Sequence, residues 1–243
     1  MSRYWNDDYE RYRQLTSGEL KQKVRATEKK AGQKGNTLHP VVIEGRIIAK
    51  SWWGQAWCSN LERYADFESR LDRGKRYVRS GAVVDLDIES GRILARVQGS
   101  RRTPYKTEIR ISPLSEEQCD QLLDQCTERI DSMEQLISGN FPDSLKNIFF
   151  GRGGLFPEPR EISFSCSCPD WALMCKHVAA ALYGVGARLD EDPLLFFKLR
   201  GIDVNRFIGV ALDNKVEKML SHADCRSSRI IEEKNVSSLF GVI

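Results

Sequence analysis

Two hydrophobic periods divide the chain. Over residues 84–97 the period is two: Val84, Leu86 and Ile88 alternate with Asp85, Asp87 and Glu89, and Ile93, Ala95 and Val97 alternate with Arg92, Leu94 and Arg96. Ser90-Gly91 between the runs is a turn signal, so the pattern predicts a two-residue hairpin. Its register joins Glu89 to Arg92, Ile88 to Ile93, Asp85 to Arg96, Leu86 to Ala95 and Val84 to Val97. The inner pairs are apolar and the outer pairs carry opposite charges, so both faces support one alignment. A third strand is predicted from Pro104 to Ile111, with Tyr105, Thr107, Ile109 and Ile111 on one face and Lys106, Glu108 and Arg110 on the other.

Elsewhere the spacing is helical. Trp52, Trp53, Trp57 and Tyr64, with Ala56 and Leu61, form a stripe whose simplest use is core packing. Ser115-Glu116-Glu117-Gln118 is a capping box opening a long amphipathic helix, with Cys119, Leu122, Leu123, Cys126, Ile130, Met133 and Ile137 on its apolar face. The opposite face is acidic, and Cys119 and Cys126 are read as small core residues. A short helix is predicted from Phe141-Pro142 to Phe150, another from Pro193 to Leu199, and a third capped by Asp203. In that last helix Val204, Phe207, Ile208, Ala211, Leu212, Val216, Met219 and Leu220 make a stripe read as core rather than a partner groove. The remainder, from about Ser221 with unpaired Cys225, is expected to be a loosely ordered tail.

The fold class is α+β: a three-stranded antiparallel unit with flanking helices. The expected division is a basic, partly flexible segment over 1–40, an α+β domain over 41–150, a small cysteine-histidine hairpin-helix module over 151–190, and C-terminal helices and tail over 191–243.

Composition narrows the function classes. At 243 residues, 41% hydrophobic and 29% charged, the chain falls in the ordinary globular range. No apolar leader opens it and no run of about 18 apolar residues occurs, so a cytoplasmic protein without a membrane span is expected. Seven cysteines without an export signal point to reduced thiols or metal ligands.

A net charge of +3 is too small to imply a polyanionic partner, so the distribution of cations decides. Residues 21–36 hold Lys21, Lys23, Arg25, Lys29, Lys30 and Lys34 against Glu28 alone, which fits either a basic arm or a solvated helix face. Residues 92–110 hold Arg92, Arg96, Arg101, Arg102, Lys106 and Arg110 against Glu108. The register assigns Arg92 and Arg96 to acidic partners, leaving Arg101, Arg102, Lys106 and Arg110 as candidates for phosphate contact. No nucleotide-binding fingerprint is present: Gly74-Lys75 is followed by Arg76 and lacks the preceding glycine of a P-loop.

The chemistry concentrates in Cys166-Ser167-Cys168-Pro169-Asp170-Trp171-Ala172-Leu173-Met174-Cys175-Lys176-His177. A strand ending near Cys166 turns Cys166 and Cys168 to one point, and a helix beginning near Cys175 presents Cys175 and His177 where N–H groups favour thiolate. Three cysteines and a histidine at this spacing suit a closed tetrahedral Zn²⁺ site, structural because no position stays open for substrate. The alternatives are buried free cysteines beside a helix-start histidine, or a Cys/His nucleophile, whose two extra thiolates would invite metal. His39 and His222 lack such company and are read as surface residues.

This C-x-C-x6-C-x-H arrangement, with Cys168-Pro169-Asp170 and Cys175-Lys176-His177-Val178-Ala179, resembles the SWIM zinc finger. Ser51-Trp52-Trp53-Gly54-x-x-Trp57, Val97-Gln98-Gly99-Ser100-Arg101 and Asp192-Pro193 through Leu199-Arg200-Gly201 are similar to bacterial SWIM zinc finger proteins of comparable length. The resemblance implies one structural zinc on Cys166, Cys168, Cys175 and His177, and a module for DNA or protein contacts that accompanies Swi/Snf-type helicase-like ATPases. The expected protein is a non-catalytic, nucleoid-associated adaptor that binds DNA through Arg101, Arg102, Lys106 and Arg110, without a small-molecule substrate. The alternative is a protein-interaction subunit of such a complex that does not touch DNA.

Overall fold

The computed structural model describes residues 14–129, 146–151 and 153–223. In chain order its elements are α1 (Ser17–Gln33), α2 (Trp52–Glu62), α3 (Glu68–Arg79), β1 (Val83–Glu89), β2 (Arg92–Val97) and β3 (Tyr105–Ile111). There follow α4 (Glu116–Arg129), α5 (Lys146–Phe150), β4 (Ile162–Cys166), α6 (Lys176–Glu191), α7 (Leu195–Leu199) and α8 (Val204–Ala223). The architecture is α+β, as the two hydrophobic periods predict.

The hairpin keeps the expected register from Glu89↔Arg92 through Ile88↔Ile93 and Leu86↔Ala95 to Asp85↔Arg96. Gly91 adopts a φ of 65° at the turn, a conformation that favours glycine. Both outer ion pairs form, Arg92 with Glu89 at 2.6 Å and Arg96 with Asp85 at 3.4 Å. One pair is corrected: Val97 faces Val83 rather than Val84, because a β-bulge absorbs a residue between Val83 and Asp85. The bulge lets Val83 and Val84 both be fully buried. The free edge of β1 is covered by the segment before α2, through Val41 N–H to Val83 O at 3.0 Å and Leu86 N–H to His39 O at 2.9 Å.

The sheet has four strands in the order β1-β2-β3-β4, all antiparallel, where three were expected. The strand leading to Cys166 does not form a hairpin of its own. It pairs with β3, in the register Thr107↔Cys166, Ile109↔Phe164 and Ile111↔Ile162, because β3 alternates apolar and polar residues and offers an unpaired edge. The cysteine-histidine region is thereby built into the main sheet.

Helix α6 is apolar around most of its circumference and buried from His177 to Ala187, the pattern of a central helix. It packs on the sheet through one face and on α2 and α3 through others. At the α3 crossing, a Cβ on Gly74 would stand 2.6 Å from the Ala179 Cβ, so the approach tolerates no side chain there. The tryptophan stripe of α2 is core, as expected: Trp57 is fully buried, and its indole N–H donates to Leu182 O of α6 at 3.0 Å. The indole of Trp53 donates to Leu189 O at 2.8 Å, and the Asp190 carboxylate accepts the backbone N–H of Ser51 at 3.1 Å. These bonds fasten Ser51-Trp52-Trp53-Gly54 to the end of α6.

The lysine-rich stretch forms α1, so the basic, partly flexible segment expected over 1–40 is helical from Ser17 to Gln33. Thr16 and Glu19 exchange hydrogen bonds in a capping box, and Leu20 and Val24 anchor the helix in the core. Ser115 and Gln118 cap α4 in the same way, at 3.0 and 3.3 Å, and Cys119 is buried as expected. Four residues of the stripe expected on α8 depart from the core reading, Leu212, Val216, Met219 and Leu220 being exposed, and the side chains of Val204, Phe207, Ile208 and Ala211 lie outside the described residues. The expectations for residues 130–145, for Cys225 and the tail, and for the side chains of Cys126 and His222 lie outside the described residues. Among the described residues no helix is long and apolar enough to cross a membrane.

Candidate metal centre and the cationic surface beside it

Strand β4 delivers Cys166 at its last residue, and Cys168 follows after Ser167, whose N–H bonds Lys106 O at 2.9 Å and so prolongs the ladder with β3. Cys175 is the N-cap of α6 and His177 lies in its first turn. The three Sγ atoms and a ring nitrogen of His177 all fall within 4.8 Å of one another. Nδ1 of His177 is 3.9 Å from Sγ of Cys166 and 3.9 Å from Sγ of Cys175. A tetrahedral zinc site with ordinary bond lengths has edges of about 3.5 to 3.8 Å between ligand atoms, close to these two distances.

The surroundings of the donors favour the ligand state. The N–H of Cys168 bonds the Cys166 sulfur, that of Asp170 the Cys168 sulfur, and that of Val178 the Cys175 sulfur. Thr107, fully buried and paired with Cys166 across the sheet, places its hydroxyl 3.6 Å from the same sulfur. Without metal the three thiols share their protons unequally. Cys168 and Cys175 hold the Cys166 thiol well below its ordinary range, whereas bonding to Cys166 and Cys168 pushes Cys175 up. Burial lowers the His177 imidazole, which keeps it neutral and able to ligate. Zinc, when bound, neutralises the crowded thiolates and ties β4 to α6 with the energy of four bonds. All four positions are protein side chains, so the chemistry supplied is structural.

The histidine ring is held from outside by a second layer that the sequence does not single out as part of a site. Tyr105 stacks on it with centroids 4.3 Å apart and planes inclined by 28°, and Tyr77 meets it edge-on at 5.5 Å. Its Nε2 is buried without a hydrogen-bond partner, and a Cβ on Gly99 would come within 2.9 Å of that atom. The loop that follows Gly99 is therefore seated directly on a metal ligand.

That loop carries two of the predicted cations. Arg101 and Arg102 are exposed, and the Arg101 guanidinium lies over the Tyr105 ring at 5.2 Å. Lys106 is exposed, and its backbone N–H bonds the Ser167 hydroxyl at 2.9 Å, between the first two cysteines. Arg110 is not part of this group: it lies four residues beyond Lys106 along β3, about 13 Å away, and pairs with Glu108 at 2.9 Å. Helix α1 joins the loop, since the Lys23 ammonium donates to Ser100 O at 3.0 Å and the Thr27 hydroxyl to Gln98 Oε1 at 2.7 Å. The two basic stretches of the sequence thus meet at one place.

Helix α3 adds cations that sequence reasoning missed. Arg70 pairs with Asp170 of the cysteine loop at 3.2 Å. Burial raises the Tyr77 phenol and the Arg76 and Arg73 charges oppose that rise, which puts both guanidinium groups within electrostatic reach of the ring that touches His177. The available signal was the composition of α3, where Arg70, Arg73, Lys75, Arg76 and Arg79 face only Glu68 and Asp72. His39 is exposed, as expected, and pairs with Asp87 at 2.7 Å.

The SWIM zinc finger family matches residues 164–185, the span from β4 into α6 that holds all four donors. Rv2102 of Mycobacterium tuberculosis, an uncharacterized protein, is 38% identical over 172 residues, covering 67% of this chain and 62% of that relative. The chain thus matches less than two thirds of the relative's length. No solved structure matches the chain. The matched family is a binding module, and no enzyme family is indicated. With its ligand spacing, its donor geometry and this match, residues 164–185 are a SWIM zinc finger.

Proposed function

We propose that this protein is a non-catalytic DNA-binding adaptor whose zinc holds a cationic surface in place. The observation that carries the proposal is the seating of the Arg101 loop on the zinc ligand: Gly99 against His177, Tyr105 stacked on the same ring, and Arg101 over Tyr105. Lys23 closes the loop from the side of α1, and Arg73 and Arg76 on α3 lie within electrostatic reach of Tyr77, which meets the same histidine ring. Clustered cations on a fixed frame suit a phosphate backbone, whose contacts set affinity and position. The phosphate contacts fall to Arg101, Arg102 and Lys106, and Arg110, paired and distant, is left out. Action beside a Swi/Snf-type helicase-like ATPase is the setting that the family resemblance implies.

The test is DNA binding by the zinc-loaded chain across a salt series, with Arg101→Glu combined with Arg102→Glu. Binding that weakens steeply with salt and is lost in the double variant is the expected result; absence of DNA binding at low salt would overturn the proposal. A second reading, a protein-interaction subunit, is favoured by the exposed Leu212, Val216, Met219 and Leu220 on α8. It requires partner binding that the charge reversals leave unchanged.

A further inference from the structure

Trp171, between the second and third zinc ligands, is 81% exposed. The loop that carries it is nonetheless tied down at several positions. The Asp66 carboxylate accepts the N–H groups of Leu173 and Met174 at 2.9 and 3.3 Å, and Asp170 accepts the Ala172 N–H at 3.3 Å while pairing with Arg70. Cys168 and Cys175 would anchor both ends to the metal. Phe67 supports the indole edge-on at 5.6 Å, with the planes 89° apart. A perpendicular contact covers at most one face of the indole, and an exposed ring held in place is prepared for stacking at little entropic cost.

Cations line α3, beginning at Arg70, which pairs with Asp170 next to Trp171 in the loop. Arg70, Arg73 and Tyr77 follow one another at helical spacing along α3, covering about 10 Å from the Trp171 loop to the ring beside His177. Arg73, Arg76 and Arg101 form no ion pair among the described residues. An exposed aromatic ring at one end of a helix that carries unpaired cations matches how single-stranded nucleic acids are held: bases stack on the ring and phosphates follow the charge. Bases inside a duplex are already stacked and cannot lie flat on an indole.

We infer that Trp171 is a stacking platform for an unpaired base of single-stranded DNA, whose backbone runs past Arg73 and Arg76 toward Arg101. The inference rests on the DNA-binding reading above and specifies the form of DNA. The test is fluorescence anisotropy of a labelled oligothymidine, an oligouridine and a duplex of equal length with the zinc-loaded full chain and with Trp171→Ala and Trp171→Phe. Trp171→Ala is expected to weaken oligothymidine binding about 5- to 150-fold and leave duplex binding unchanged, with Trp171→Phe retaining most of the affinity. Equal zinc content in all three proteins excludes a folding effect. If the wild type binds DNA and Trp171→Ala binds oligothymidine equally well, the platform is refuted and the exposed ring belongs to a protein contact, while the DNA-binding reading stands. Preference for oligouridine would overturn the DNA assignment, and failure to bind any of the three would refute both.

Discussion

The Tyr105 ring lies on the His177 imidazole at 4.3 Å, so a residue of the central sheet forms the outer wall of a zinc ligand. Gly99 completes that wall, and a Cβ there would stand 2.6 Å from Tyr105 Cε2 and 2.9 Å from His177 Nε2. Gly99→Ala is therefore expected to cost about 1 to 3 kcal/mol through overpacking and to weaken both zinc retention and DNA binding. Thermal unfolding with zinc bound, compared between the two proteins, checks this; an unchanged midpoint would show that the wall yields freely.

The Thr107 hydroxyl, 3.6 Å from the Cys166 sulfur, is a second support of the metal site. Thr107→Val keeps the volume and removes the donor, and zinc affinity is expected to fall about tenfold while the fold is retained. Competition with a chromogenic chelator measures the change.

Acidification should release zinc. Bonding to Cys166 and Cys168 raises the Cys175 thiol in the metal-free cluster, so metal must displace at least its proton. Zinc affinity is then expected to rise with pH by about tenfold per unit for each proton displaced, while His177, lowered by burial, contributes no competing proton near neutrality. Chelator competition at pH 6, 7 and 8 gives the slope, and a flat profile would contradict thiolate ligation.

Arg200 is a structural cation. Fully buried, it donates to Ser112 O at 2.8 Å and to Glu161 at 3.0 Å, joining the end of α7 to the turn before β4. Arg200→Leu is expected to destabilise the chain by about 3 kcal/mol, read from denaturant unfolding. DNA affinity of the folded fraction should not change, because the guanidinium does not reach solvent.

Arg101 and Arg102 should contribute to the salt slope of binding as well as to its strength. Arg101→Ala combined with Arg102→Ala is expected to reduce the log–log salt slope on single-stranded DNA by about 1.4 if each contacts one phosphate. An unchanged slope with weaker binding would mean that the loop acts through shape alone.

The hairpin was legible because both faces of residues 85–96 demanded the same register. The bulge was not, since Val83 and Val84 are equally apolar and only the three-dimensional core shows that both are buried. The four zinc donors were legible from spacing. Their surroundings were not, because Gly99, Tyr105 and Thr107 are about 60 to 80 residues from the donors they touch and look like ordinary strand and loop positions. The helix over the lysine-rich stretch had a local signal, Thr16-x-x-Glu19 before Leu20, which outweighs the flexibility suggested by Gly32 and Gly35.

Elemental analysis of the full chain purified without added metal tests the central claim most directly. One zinc per chain is expected, falling to well below one in Cys175→Ser; a folded wild-type chain without stoichiometric zinc would contradict it.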